Sequence, residues 1–168
     1  MLTQETIERA DFSLSENLTL EMAEKMLDAA ERWARVNQVP CSIAVVDKSG
    51  SVLAVHRMDD SAFGLMTPDI AISKAYTAVY FAHSTDLLGA TIDYRSVGPR
   101  LGQWYIGLMT QLNGHLNCIP GAEPVRAEWN SFTPGEVIGG IGVSGVPDGM
   151  GEISDTTVCQ AGVSALYD

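Results

Sequence analysis

Between Leu20 and Val36 the apolar positions Met22, Ala23, Met26, Leu27, Ala30, Trp33 and Ala34 recur every three or four residues, the period of one helical face. Thr19 stands where an N-cap belongs, and Glu21 follows near the positive end of the helix dipole. The period then changes. In "CSIAVVDKSGSVLAVHRM" two β-rich runs flank Asp47-Lys48-Ser49-Gly50, whose glycine supplies the positive φ that a bulged hairpin needs. Val52, Ala54, His56 and Met58 fall on one face of the second run; Leu53, Val55 and Arg57 fall on the other.

A helical period returns in "TPDIAISKAYTAVYFAHS". Thr67 is read as its cap, Pro68 as the first helical residue and Asp69 as the acidic residue of the first turn. Ala71, Ala75, Ala78 and Ala82 make a stripe of small side chains, which lets the helix lie close to a sheet or another subunit. Lys74, Thr77 and Phe81 form the adjacent row. From Gly98 to Ser131 short apolar runs broken at Asn113-Gly114 and Pro120-Gly121 predict two short strands with loops. "GEVIGGIGVSG" predicts a turn and a buried strand, Val137 to Val143. Beyond "VPDGMGE", Ser154 or Asp155 caps a last helix carrying Val158, Ala161, Val163 and Leu166. This order implies an α+β domain on an antiparallel sheet. Residues 1–17, polar and acidic, read as an N-terminal arm, and 18–168 as a single domain.

Composition narrows the partners. The net charge is −11, and only ten Lys and Arg residues are scattered along the chain, which argues against nucleic acid or an anionic membrane. No run approaches the roughly 18 apolar residues of a membrane span. The N-terminus lacks the basic and apolar regions of a secretory signal. Three distant cysteines, Cys41, Cys118 and Cys159, suit reduced thiols, so a cytoplasmic location is expected.

From Gly140 the segment "GIGVSG" spells G-x-G-x-x-G. A dinucleotide fingerprint requires the next helix to follow the glycine turn at once and a second parallel strand after it. Here a loop, one helix and no further strand follow. The glycines are therefore expected to admit another backbone or a ligand at close range. The turn at Ser144 and Gly145, with its amides and hydroxyl, is a candidate cradle for a carboxylate or phosphate.

Taken together, "IAVVDKSGSVLAVHRMDD", "PDIAISKAYTA", "GEVIGGIGVSG" and "QAGVSAL" resemble the GlcG/HbpS/PduO-C-like family, also called the haem-degrading domain family. The resemblance runs from about Leu18 to Leu166. It implies a profilin- or PAS-like α-β-α sandwich, with a central five-stranded antiparallel sheet flanked by helices, assembled into dimers, tetramers or octamers. Members of the family are linked to haem binding, to corrinoid and diol utilisation, and to aromatic degradation, and one branch contains 4-hydroxylaminobenzoate lyase. This chain departs from many relatives at Asp60 and Val146, where they carry glycine.

The resemblance implies two functions. A cofactor-independent lyase acting on a small anionic aromatic, with release of ammonia, needs cations, apolar walls and a proton carrier. Lys74, Asp60 and Glu152 are the catalytic candidates, and Arg57, Arg100, Trp104, Tyr105, Ser144 and Gly145 the substrate-binding ones. The alternative is a haem-binding or corrinoid-associated sensor or carrier, for which His56 or His83 would supply the axial ligand. No histidine pair stands at metal-ligand spacing along the sequence, so no metal site is expected.

Overall fold

The structure is a computed structural model that describes residues 17–62, 64–92, 112, 114–127, 135–147 and 150–167. Helix α1, Leu20–Val36, begins where Thr19 accepts a hydrogen bond from the Met22 amide at 3.2 Å. Strands β1, Ser42–Asp47, and β2, Val52–Arg57, form the expected antiparallel hairpin, with a bulge between Val45 and Val46. Asp47 builds its turn by accepting from the Ser49 and Ser51 amides at 2.8 and 2.9 Å, and Gly50 takes a φ of 82°.

A short 3-10 turn, Gly64–Met66, leads into helix α2, Thr67–Phe81. Thr67 does not cap it. The cap position falls on Met66, which makes no side-chain cap bond. The Thr67 hydroxyl instead lies 2.8 Å from that of Ser42 and 2.9 Å from that of Ser61, in a buried chain that fastens the helix start to β1. Helix α3, Thr85–Ile92, follows directly and was not anticipated from the pattern. Strands β3, Ala122–Arg126, and β4, Val137–Ser144, precede helix α4, Asp155–Ser164, which Ser154 opens with a reciprocal capping box.

The sheet order is β2-β1-β4-β3, antiparallel throughout. It holds four strands among the described residues, where five were expected. Of the two short strands expected between Gly98 and Ser131, Ala122–Arg126 is formed, and much of the remaining span lies outside the described residues. Ile43, Val45, Ile141 and Val143 join Met26, Leu27 and Ala30 of α1 and Val158 of α4 in one apolar core. Each large aliphatic side chain buried there contributes roughly 1.5–3 kcal/mol.

The opposite face answers the glycine question. A Cβ on Gly140 would come 2.7 Å from the Ala75 carbonyl oxygen, and one on Gly142 would come 2.7 Å from the Ala75 amide and collide with the Ala71 carbonyl. Glycines on β4 and alanines on α2 thus bring helix and sheet backbones together. The alanine stripe packs on the chain's own sheet, completing an α-β-α sandwich.

Candidate functional site

Lys74 points from α2 into the end of the sandwich and is 1% exposed. Its ammonium donates to Pro120 O at 2.8 Å, Val143 O at 2.9 Å and Asp155 Oδ2 at 2.7 Å. The other carboxylate oxygen of Asp155 accepts from the Val146 amide at 2.9 Å. All three ammonium hydrogens are therefore spent on internal acceptors, which compensates burial of the charge. Asp155 also stands in the first turn of α4, where the helix dipole favours an anion. This arrangement joins α2, the end of β4, the turn before β3 and the start of α4.

Just past the turn at Ser144 and Gly145, the Val146 amide donates to the chain's own Asp155 carboxylate. Ser144 is 6% exposed. Gly145 takes a φ of 124°, and a Cβ there would come 3.0 Å from Ser61 Oγ and 3.2 Å from Cys41 Cα. The turn is therefore packed closely on its inner side. Beyond it lies a hollow of about 270 Å³ lined by residues that include Pro120, Val146, Ile153 and Asp155.

Asp86 of α3 extends the polar knot, accepting from Thr156 Oγ1 at 2.8 Å and from the Gly121 amide at 3.3 Å. Glu123 on β3 has its carboxyl pushed up to about 7, first by burial and then by the charge of Asp86. Burial also pushes the Cys41 thiol up to about 12, aided by the charges of Asp155 and Glu31. Burial raises Cys159 as well. Neither thiol supplies a thiolate nucleophile at neutral pH.

The histidines are divided between two faces. His56 on β2 meets α1: its Nδ1 lies 2.7 Å from Glu31 Oε2 and its Nε2 lies 3.5 Å from Glu24 Oε2. Arg35 donates to Glu31 Oε1 through Nε and Nη2 at 2.8 and 2.6 Å. That guanidinium, with His56, holds the Glu31 carboxyl below its ordinary range despite partial burial. His83 is exposed just past α2, which ends on a left-handed Ala82 with a φ of 56°.

His115, which the sequence reading did not select, leans on the outer side of α2. Its ring centroid is 5.6 Å from that of Tyr76, and Tyr76 stacks on Tyr80 at 6.2 Å. The Asn117 amide donates to Thr77 Oγ1 at 2.7 Å, pinning this segment to the helix. Lys48, Ser49, Gly50, Tyr76, Val79 and Tyr80 line an adjoining cleft of about 230 Å³. The signal available in the sequence was Tyr76 and Tyr80, four residues apart on a helix.

Arg57 is exposed on β2, and the Asp47 carboxylate serves the hairpin turn. Asp60 is exposed beside a shallow hollow of about 420 Å³ and takes a φ of 61°. That left-handed backbone favours glycine. Glu152 is exposed in the turn before α4. Arg100, Trp104 and Tyr105 lie outside the described residues. Thus the structure places Ser144 next to Val143, whose carbonyl accepts from Lys74, whereas Asp60 lines a different hollow from the one beside Asp155 and Arg57 is exposed on β2. Among the described residues, no helix is long and apolar enough to cross a membrane.

A four-stranded antiparallel sheet between helical layers, closed by a buried lysine and bearing an aromatic-imidazole face, defines a small α+β domain. The chain belongs to the HbpS-like family: residues 18–164 match the family described as haem degrading protein HbpS-like. A 15.0 kDa protein encoded in the dhaT-dhaS intergenic region of Citrobacter freundii is 34% identical over 128 residues, 76% of this chain and 80% of its own length. The crystal structure of Klebsiella pneumoniae protein ORFY is similar with a TM-score of 0.70 and 26% identity, over 89% of this chain and 90% of that one. The PduOC:haem complex is similar with a TM-score of 0.68 and 26% identity, over 89% and 94% of the two chains.

Proposed function

We propose that this protein binds haem as a carrier or sensor, with no catalysis of its own, and does so as a homo-oligomer. The observation that carries this reading is the row His115, Tyr76 and Tyr80 beside Lys48. Haem needs an axial donor, flat apolar walls and cations for its propionates. An exposed imidazole, two stacked phenol rings and a lysine meet those needs in kind. His83, exposed just past the end of the same helix, is a second donor. His56 is the weaker one, because Glu31 and Glu24 flank its ring nitrogens.

A cleft of about 230 Å³ falls below the roughly 300–1,000 Å³ of pockets that enclose a ligand. A porphyrin would therefore lie over this face, with a second copy of the chain covering its other side. The haem complex of PduOC and the family's description supply independent support.

A lyase acting on a small anionic aromatic is the second reading. One observation favours it: a Glu123 carboxyl that titrates at about 7 is matched to proton transfer at neutral pH. Lys74 serves that chemistry less well, since its three donors are already engaged.

Titration of the purified protein with haemin tests both readings. A saturable Soret band is expected, weakened and shifted in His115→Ala and further weakened when His83→Ala is added. An identical spectrum in the double variant, or no saturable band, overturns the haem assignment. Ammonia released from an aryl hydroxylamine by the colourless protein, and lost in Glu123→Gln, would establish the lyase instead.

A further inference from the structure

His56 is the one imidazole among the described residues set in a carboxylate cage, and the cage is drawn from two elements. Glu24, Asp28 and Glu31 follow one another at spacings of four and three along α1, so they share one face of the helix. Strand β2 lays the His56 ring against that face. One ligand atom each from Glu24, Asp28 and His56 lies within 4.8 Å of the others. His56 Nε2 and Glu24 Oε2 are 3.5 Å apart. A tetrahedral ion bound at about 2.0–2.2 Å sets neighbouring ligand atoms about 3.3–3.6 Å apart. Rotation of the exposed Glu24 and Asp28 side chains therefore suffices to close the site.

The ring's second nitrogen is already arranged for this role. A carboxylate only accepts hydrogen bonds, so Nδ1 of His56 donates to Glu31 Oε2 at 2.7 Å. That bond leaves the Nε2 lone pair to face Glu24 and Asp28. Glu31 is itself fixed by the two-nitrogen contact from Arg35 at 2.8 and 2.6 Å. A carboxylate that orients a histidine from behind is the usual support of a metal-bound imidazole. Two carboxylates and one imidazole suit a borderline first-row ion better than Ca²⁺ or Mg²⁺, which take oxygen donors.

We propose that α1 and β2 together build a surface site for a divalent transition-metal ion, with His56 Nε2 and the carboxylates of Glu24 and Asp28 as protein ligands and water completing the shell. The site lies on the α1 side of the sheet, and the aromatic row of α2 lies on the other. It does not depend on haem binding.

Zn²⁺ titration of the metal-free protein by calorimetry is the test, with Co²⁺ absorption as a second readout. One saturable Zn²⁺ site is expected to persist in the His83→Ala/His115→Ala double variant. It should disappear in His56→Ala and weaken at least about tenfold in Glu24→Gln and in Asp28→Asn. Glu31→Gln, which removes only the support behind the ring, is expected to weaken it about 10- to 100-fold. Glu24 and Asp28 are exposed, so their variants keep the fold even where His56→Ala does not. Equal Zn²⁺ binding by wild type and the Glu24→Gln/Asp28→Asn pair, or no saturable binding by wild type, overturns the proposal.

Discussion

Glu123 couples its own protonation to folding. Its carboxyl has an ordinary value of 4.5 and is pushed up to about 7 in the folded protein by burial and by Asp86. The folded state therefore holds a proton that the unfolded chain has lost between those values. This contribution to stability is complete below about pH 4.5 and disappears as the pH rises through about 7. Glu123→Gln removes the dependence. Because the side chain is partly exposed, solvent screening reduces the effect, and the variant is expected to be about 1–2 kcal/mol more stable than wild type at pH 8. Urea midpoints at pH 5 and pH 8 measure it. The same midpoint difference in both proteins would show that Glu123 is not the group responsible.

The contact between α2 and β4 is set by atoms that are missing. Gly140 and Gly142 leave room for the Ala71 and Ala75 backbone, so helix and strand meet without intervening side chains. Gly142→Ala places a methyl group against that backbone and forces the helix outward. Overpacking of this kind costs about 1–3 kcal/mol. Thermal unfolding should show a lower midpoint for Gly142→Ala. At the exposed hairpin residue Lys48, alanine should leave the midpoint unchanged. An unchanged midpoint in Gly142→Ala would mean that the layers are not held at this distance. The helix α1 face, by contrast, meets the sheet through full side chains, Met26 and Leu27 among them.

Across the whole molecule, Lys74 connects segments that the chain order keeps apart. Its acceptors lie 46, 69 and 81 residues away in sequence. Removing the ammonium leaves the half-buried Asp155 carboxylate without its cation and takes the donor from two carbonyls. Lys74→Met is expected to cost about 3–5 kcal/mol, the range for breaking one side of a buried ion pair. Chemical denaturation measures the loss, and amide exchange should rise together at the start of α4 and near Gly121. Stability equal to wild type would remove the lysine from this structural role and return it to the list of groups free for chemistry.

Local pattern sufficed for α1, the hairpin, β4 and α4. Their apolar periods, the Thr19 and Ser154 caps and the Gly50 turn act over four residues or fewer, and such short-range preferences are readable from sequence. The failed dinucleotide reading of Gly140 to Gly145 was legible for the same reason, since a loop rather than a helix follows these glycines directly. Helix α3, the use of Thr67 as a buried link and the partners of Lys74 were decided by tertiary structure. So were the meetings of His56 with Glu24, Asp28 and Glu31, and of His115 with Tyr76. Each depends on how closely the layers approach, because polar groups buried between layers must find whichever partners closure brings within reach. The sequence shows which residues are small enough to permit that closure; only the closed sandwich decides which charges and rings then meet.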